Sequence, residues 1–308
     1  MTKPRRHLAG QVSLVTRRTM GRTFFLRPDD FINQVVGYEL GKAANKHGQQ
    51  LHAAMCMSNH PHLVISDTTG NRSDFMRDAM SGIARARNRD LDRRGYFWGA
   101  GQFGDTVCLD QDAMERKLIY TWLNPVVEGL VERAEDWPGF KILPRHWGEE
   151  IEIEVPDRFY GRRSPETITF TPQPPPGYDD MSLQEVKEHF QKLLRKKENQ
   201  ILDRYSKYEA VGASEVLERD PFERATSTED GWTINPRFAC KDTGVLRDAI
   251  DRHNRFLEDY ETKRQRYQKG QTNVTFPCGT IQLRKEAPIN CASPPAEEPG
   301  LLAASHVS

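Results

Sequence analysis

Apolar positions follow two alternating periods along the first part of the chain. Val12–Thr16 is a short run of apolar and β-branched residues and predicts a first strand, followed by an Arg-rich turn at Arg17, Arg18 and Arg22. Pro28-Asp29-Asp30 marks a helix start. Phe31, Val35 and Tyr38 then recur at helical spacing through Asn45, and Lys46-His47-Gly48 ends the segment. Leu51–Met57 and His62–Ile65 predict two further strands, separated by a short turn that begins at Ser58-Asn59. Ser73–Leu91 carries Phe75, Met76, Met80 and Ile83 on one helical face, and Arg77, Arg85, Arg87 and Arg89 on another. A fourth strand fits Asp105–Leu109. Gln111–Trp122 predicts a helix stopped near Asn124-Pro125, because proline cannot donate to the helical ladder. The order βαββαβα predicts an α+β fold, with helices on a largely antiparallel sheet.

The pattern changes after about Pro144. Ile151–Thr171 is mixed, and Pro172–Gly177 is a proline-rich linker or turn. Ser182–Tyr208 predicts a long basic amphipathic helix, with Ser182 and Glu185 at capping-box spacing. Val245–Tyr267 predicts another helix, and Val274–Leu283 a hairpin around Pro277-Cys278-Gly279. From Ala292 the chain is rich in Pro, Ala and Ser, which predicts a disordered tail. The expected division is 1–150, a mostly helical extension over 151–291, and the tail 292–308.

Composition narrows the class. Hydrophobic content is 37% in 308 residues, enough for a real core. No apolar run approaches the ~20 residues that span a bilayer, so a cytoplasmic protein with no membrane partner is expected. The five cysteines are scattered, without a CxxC pair, which disfavours a disulfide framework or a thiolate zinc site. The net charge is zero, yet Met1–Gly104 holds 16 Lys+Arg against 8 Asp+Glu. A basic first third suggests a polyanionic partner.

Two short patterns carry chemistry. In His60-Pro61-His62, residues two apart on an extended segment share a face, so two imidazoles can bind one divalent ion. Tyr120 and Asn124 are four apart on a helix and also share a face. A tyrosine can attack an electrophile and hold a covalent intermediate, and an asparagine amide oxygen can ligate a hard cation. Taken singly, each pair has an ordinary structural explanation: a polar turn, a half-buried core tyrosine, a helix stop.

Together, Met57-Ser58-Asn59-His60-Pro61-His62-Leu63-Val64 and, about sixty residues on, Tyr120-Thr121-Trp122-Leu123-Asn124-Pro125-Val126 resemble the paired motifs of the single-tyrosine HUH transposases, in particular the REP-associated tyrosine transposases. Gly95-Tyr96-Phe97-Trp98, Gly129-Leu130-Val131 and Trp137 add to the resemblance, which covers roughly Gly10–Pro144. Asn235-Pro236-Arg237-Phe238 and Phe276-Pro277-Cys278-Gly279-Thr280 resemble the C-terminal extension of some members. Two departures stand out. Pro61 replaces the usual aliphatic residue between the histidines, so the strand must begin there or lie at an edge. Val127-Glu128 stands where the family often has a basic residue.

The resemblance implies an HUH-type catalytic domain over 1–150, in which His60, His62 and Asn124 hold Mg²⁺ or Mn²⁺ and Tyr120 forms a 5′-phosphotyrosine on single-stranded or hairpin DNA. It implies a bacterial, nucleoid-associated transposase, monomeric or homodimeric, with an extension that helps hold DNA. Arg17, Arg18, Arg22, Arg85, Arg87 and Arg89 are the candidate phosphate contacts. Tyr96, Phe97 and Trp98 could stack on bases or simply pack in the core. Two rival readings are a catalytically silent nucleic-acid-binding protein of the same fold, and a metal hydrolase that uses water with Tyr120 merely structural.

Overall fold

The computed structural model describes residues 4–162, 164–204, 210–226, 236–293, 298 and 300–302. Most of the tail 292–308 expected to be disordered, and Asn235 of the extension motif, lie outside the described residues. The opening order follows the sequence pattern to within a few residues: β1 (Gln11–Thr16), α1 (Asp30–His47), β2 (Gln49–Met57), β3 (His60–Asp67), α2 (Arg72–Asp90), β4 (Gly104–Cys108) and α3 (Gln111–Val127). The helix starts follow local chemistry. Asp29 caps α1 by accepting from Ile32 N at 2.8 Å, and Asp110 caps α3 by accepting from Ala113 N at 2.6 Å. Gly48, at φ 60°, supplies the left-handed residue that ends α1.

The strands form one sheet in the order β5-β2-β3-β1-β4-β8, where β5 is Lys141–Ile142 and β8 is Phe238–Ala239. Every pairing in it is antiparallel except β4 with β8. Alternation divides the side chains between two faces. Val15, Ala54, Cys56, Leu63 and Ile65 pack with α1 and α2. Val12, Leu14, Ala53, Met55, Met57 and Val64 pack with α3. His60 and His62 share the parity of Val64 and belong to the α3 face.

The segment after 150 covers both layers. β6 (Ile151–Glu154) and β7 (Thr167–Phe170) form a hairpin, and Ile168 and Phe170 join the α1–α2 core. Gly41 of α1 is required there, because a Cβ would lie 2.4 Å from the Phe170 ring. On the other face, α4 (Leu183–Arg204) buries Val186, Phe190 and Leu194. Phe190 meets Trp122 and Trp147 with centroids 6.0 and 5.2 Å away. The boundary drawn at 150 therefore passes through continuous packing as far as Arg204. The Ser182–Glu185 capping box forms as the spacing predicts, with Ser182 N donating to Glu185 Oε2 at 2.8 Å and Glu185 N to Ser182 Oγ at 3.3 Å. The last residues expected in that helix, 205–208, lie outside the described set.

The remaining elements are α5 (Ala213–Glu218), α6 (Thr243–Gln268), β9 (Thr275–Phe276), α7 (Gln282–Glu286) and β10 (Asn290–Cys291). Two expectations fail here. Val274–Leu283 is not a hairpin: after the Pro277–Gly279 turn the chain enters α7, and β9 pairs in parallel with β10 instead. Gln282–Glu286 lacks the apolar alternation that would hold it as a return strand. Nor does α3 stop near Asn124-Pro125. Pro125 forfeits one ladder bond, yet the last turn closes through Glu128 N to Asn124 O (3.0 Å) and Leu130 N to Pro125 O (2.9 Å), with Gly129 at φ 65°.

Candidate functional site

The site is built where β3 and α3 meet. Cys56 pairs with Pro61 and Met57 with His60, whereas β1 reaches only to Thr16, opposite His62. Pro61 thus sits where β3 has a neighbour on one side alone, and its missing N–H leaves no gap in the β1 ladder. The strand begins there, as the sequence requires. The rings of His60 and His62 lie on one face with centroids 4.4 Å apart. Tyr120 approaches from α3, its ring edge-on to His62 at 5.4 Å. Tyr120 is half exposed while His62 is buried.

The two imidazoles are held differently. Nδ1 of His60 donates to Asn59 Oδ1 at 2.5 Å, which leaves Nε2 as the lone-pair nitrogen. Asn59 is fixed in turn by donating Nδ2 to Arg22 O at 3.2 Å. Arg22 presents that carbonyl from a left-handed backbone, φ 57°, a conformation costly for a non-glycine residue. His62 has no such anchor: both its ring nitrogens are buried without a hydrogen-bond partner. Burial pushes the His60 imidazole down to about 3, helped by Arg18 and Arg22. Burial also pushes His62 well below the ordinary histidine value, with His60, Arg18 and Lys117 adding to the effect. Both rings are neutral, the form that ligates a metal.

Asn124 lies one turn beyond Tyr120 and donates Nδ2 to Tyr120 O at 3.2 Å, so its amide oxygen remains the available acceptor. Because α3 continues past Pro125, Asn124 sits within a closed helical turn rather than at a frayed end. Among the described residues, no three His, Cys, Asp or Glu side chains converge on one point. A third protein donor beside the histidines must therefore be of another type, such as an amide. Two imidazoles joined by an amide oxygen would fit a divalent ion that accepts mixed N and O ligands, Mn²⁺ better than Mg²⁺.

The arginines divide. Arg18 and Arg85 are exposed, and Arg85 donates to Ser81 Oγ at 2.8 Å. Arg89 is exposed and donates to Phe159 O at 3.2 Å. Arg22 is half-buried at the site itself. Arg17 braces the loop after Trp98, donating to Gly101 O at 2.5 Å and Gly99 O at 2.9 Å. Arg87 is a correction: its side chain is 2% exposed, paired with Asp29 at 2.9 Å and Asp90 at 2.5 Å, and donates to Phe25 O at 2.9 Å. It ties α2 to the start of α1 and offers nothing to a phosphate. Helical spacing groups it with the exposed arginines, but burial depends on a partner from a distant segment. Of the aromatic trio, Phe97 is buried and Trp98 donates Nε1 to Met80 O at 2.8 Å, both packing roles. Tyr96 is 81% exposed beside a cleft of about 760 Å³ that Arg17, Arg77 and Arg85 also line.

One neighbour escaped the motif reading. Lys117 stands three residues before Tyr120 on the same helical face, its Nζ 5.5 Å from the Tyr120 ring centre. The spacing 117-120-124 was the signal available in the sequence.

No described protein family and no curated protein matches the sequence. Among solved structures, the chain is similar to a REP-associated tyrosine transposase bound to a REP hairpin, at 18% identity over 47% of this chain and 85% of that one, with a TM-score of 0.40. It is also similar to a protein from Deinococcus radiodurans that carries a provisional transposase description, at 19% identity over 34% of this chain and 84% of that one, with a TM-score of 0.27.

Proposed function

We propose that the chain is a metal-dependent endonuclease and strand transferase that acts on single-stranded or hairpin DNA through Tyr120. The observation that carries this reading is the convergence of a half-exposed tyrosine on two neutral histidines, one of them buried with both ring nitrogens unpartnered. A buried imidazole with no partner is costly unless something absent from the chain satisfies it. The motif resemblance supplies the class of substrate.

In this reading His60 Nε2, His62 and the Asn124 amide oxygen hold a divalent cation. When bound, the ion neutralises charge that develops on the phosphate oxygens. Asn59, itself held by the Arg22 carbonyl, fixes the His60 ring and leaves Nε2 as the nitrogen with a free lone pair. The phenolic oxygen of Tyr120 attacks phosphorus as the bond to the 3′ oxygen breaks. The phenol loses its proton, the 3′ oxygen gains one, and the DNA remains linked as a 5′-phosphotyrosine. One phosphate ester replaces another, so rejoining needs no nucleotide triphosphate.

The test uses labelled single-stranded DNA, Mn²⁺ and a denaturing gel. The wild-type chain is expected to form an SDS-stable adduct, and Tyr120→Phe to bind DNA but form none. An adduct with Tyr120→Phe would reassign the nucleophile. Cleaved DNA with free ends and no adduct would replace tyrosine attack by water. Binding by the wild-type chain without cleavage in any divalent metal would leave a silent DNA-binding protein.

A further inference from the structure

Beyond the histidines and Tyr120, we infer that Lys117 is a cationic contact for the phosphate attacked by Tyr120, reaching it from α3. The inference rests on the function proposed above and adds a residue to it.

Three observations support it. Lys117, Tyr120 and Asn124 fall on one face of α3, and the Lys117 ammonium stands 5.5 Å from the Tyr120 ring centre. Among the described residues the ammonium makes no ion pair with a carboxylate, and burial holds it below the ordinary lysine range. The acids on the same turns are engaged elsewhere: Asp110 caps α3, Asp112 pairs with Lys241 at 2.8 Å, and Glu115 accepts from the Tyr178 hydroxyl at 3.2 Å. A half-buried cation left without a counter-charge is unfavourable in the free protein, and an arriving anion relieves it.

A phosphate under attack by Tyr120 would lie within reach of this ammonium. Its non-bridging oxygens gain negative charge in the transition state, where a fixed cation in a partly desolvated site has most effect. Arg18 is exposed and long, whereas Lys117 rises from a rigid helix beside the nucleophile. Its place beside the nucleophile therefore gives Lys117 the transition-state contact.

Two measurements on the full chain test this, with Lys117→Met and Lys117→Arg. First, at saturating Mn²⁺, Lys117→Met should slow single-turnover adduct formation by about a hundredfold, and Lys117→Arg should restore most of the rate. Second, on a Tyr120→Phe background, Lys117→Met should reduce the slope of log affinity against log salt for single-stranded DNA by about 0.7, the share of one phosphate contact. A packing role alone would move the melting temperature and leave the slope unchanged. Wild-type adduct formation with an unaltered rate and slope in Lys117→Met overturns the inference alone. A reduced slope without adduct formation by the wild-type chain keeps the contact and overturns the tyrosine mechanism.

Discussion

Two buried histidines on the β2–β3 ladder have opposite surroundings. His52 lies in the middle, at the irregularity where the β2–β3 register shifts between Leu51 and Ala53. Its Nδ1 meets Gln173 O at 2.9 Å and its Nε2 meets Ser66 Oγ at 2.7 Å, so the ring is fully satisfied. His62 lies at the open end, equally hidden from solvent, with neither nitrogen partnered. The same residue type at similar depth is a structural fastener in one place and an unpartnered ring in the other. Burial alone does not separate them; satisfaction of the ring nitrogens does.

The largest effect should come from removing what covers the middle. Gln173 and Phe190 both lie after residue 150, so a chain ended at Glu150 strips the partner from His52 and exposes Trp122 and Trp147. Such a chain is expected to yield no soluble, cooperatively melting protein, and Phe190→Ala in the full chain to cost about 3–5 kcal/mol. A soluble and active 1–150 fragment would show that the middle needs no cover.

Next comes a direct exchange of roles. His62→Ala should reduce Mn²⁺-dependent cleavage by more than about a hundredfold, beyond the loss usual for an outer-shell partner, while metal-free stability stays within about 1 kcal/mol. His52→Ala should do the reverse, losing about 3 kcal/mol of stability with normal cleavage per folded molecule. Urea unfolding and gel cleavage on the same preparations decide it. If both variants lose stability equally, the distinction drawn from their nitrogens fails.

The smallest effect is on pH dependence. Burial holds His52 at about 4, partly offset by its backbone hydrogen bonds, against an unfolded value near 6.5. The unfolded chain therefore takes the proton first. The stability linked to this ring is intact above about pH 6.5 and is lost as pH falls toward 4. Its share of the slope is about 1.4 kcal/mol per pH unit in that window. His52→Gln should flatten the denaturation free energy against pH by that amount. An unchanged slope would mean that the ring is protonated in the folded protein.

Legibility in the sequence followed the range of the interaction. That His60 shares a face with His62, and Tyr120 with Asn124, could be read because periods of two and 3.6 project side chains without reference to the rest of the fold. The first seven elements could be read for the same reason. Arg87 could not, since its burial depends on Asp29, far away in the chain. Nor could β8, a two-residue strand added beside β4 from the far end of the sequence. Val274–Leu283 misled because a proline-glycine turn implies reversal only when both flanks can pair. The shared core after 150 was hidden because amphipathic faces show that a helix is covered but not by what.

Pro61 has an entropic consequence. A proline between the two histidines fixes a backbone torsion of the spacer, so the placement of the His60 and His62 rings is set before anything meets them. In the function proposed above, these two rings would hold a divalent ion with little further ordering of the chain, and the ordering that an aliphatic spacer would leave to the binding step is already spent in folding.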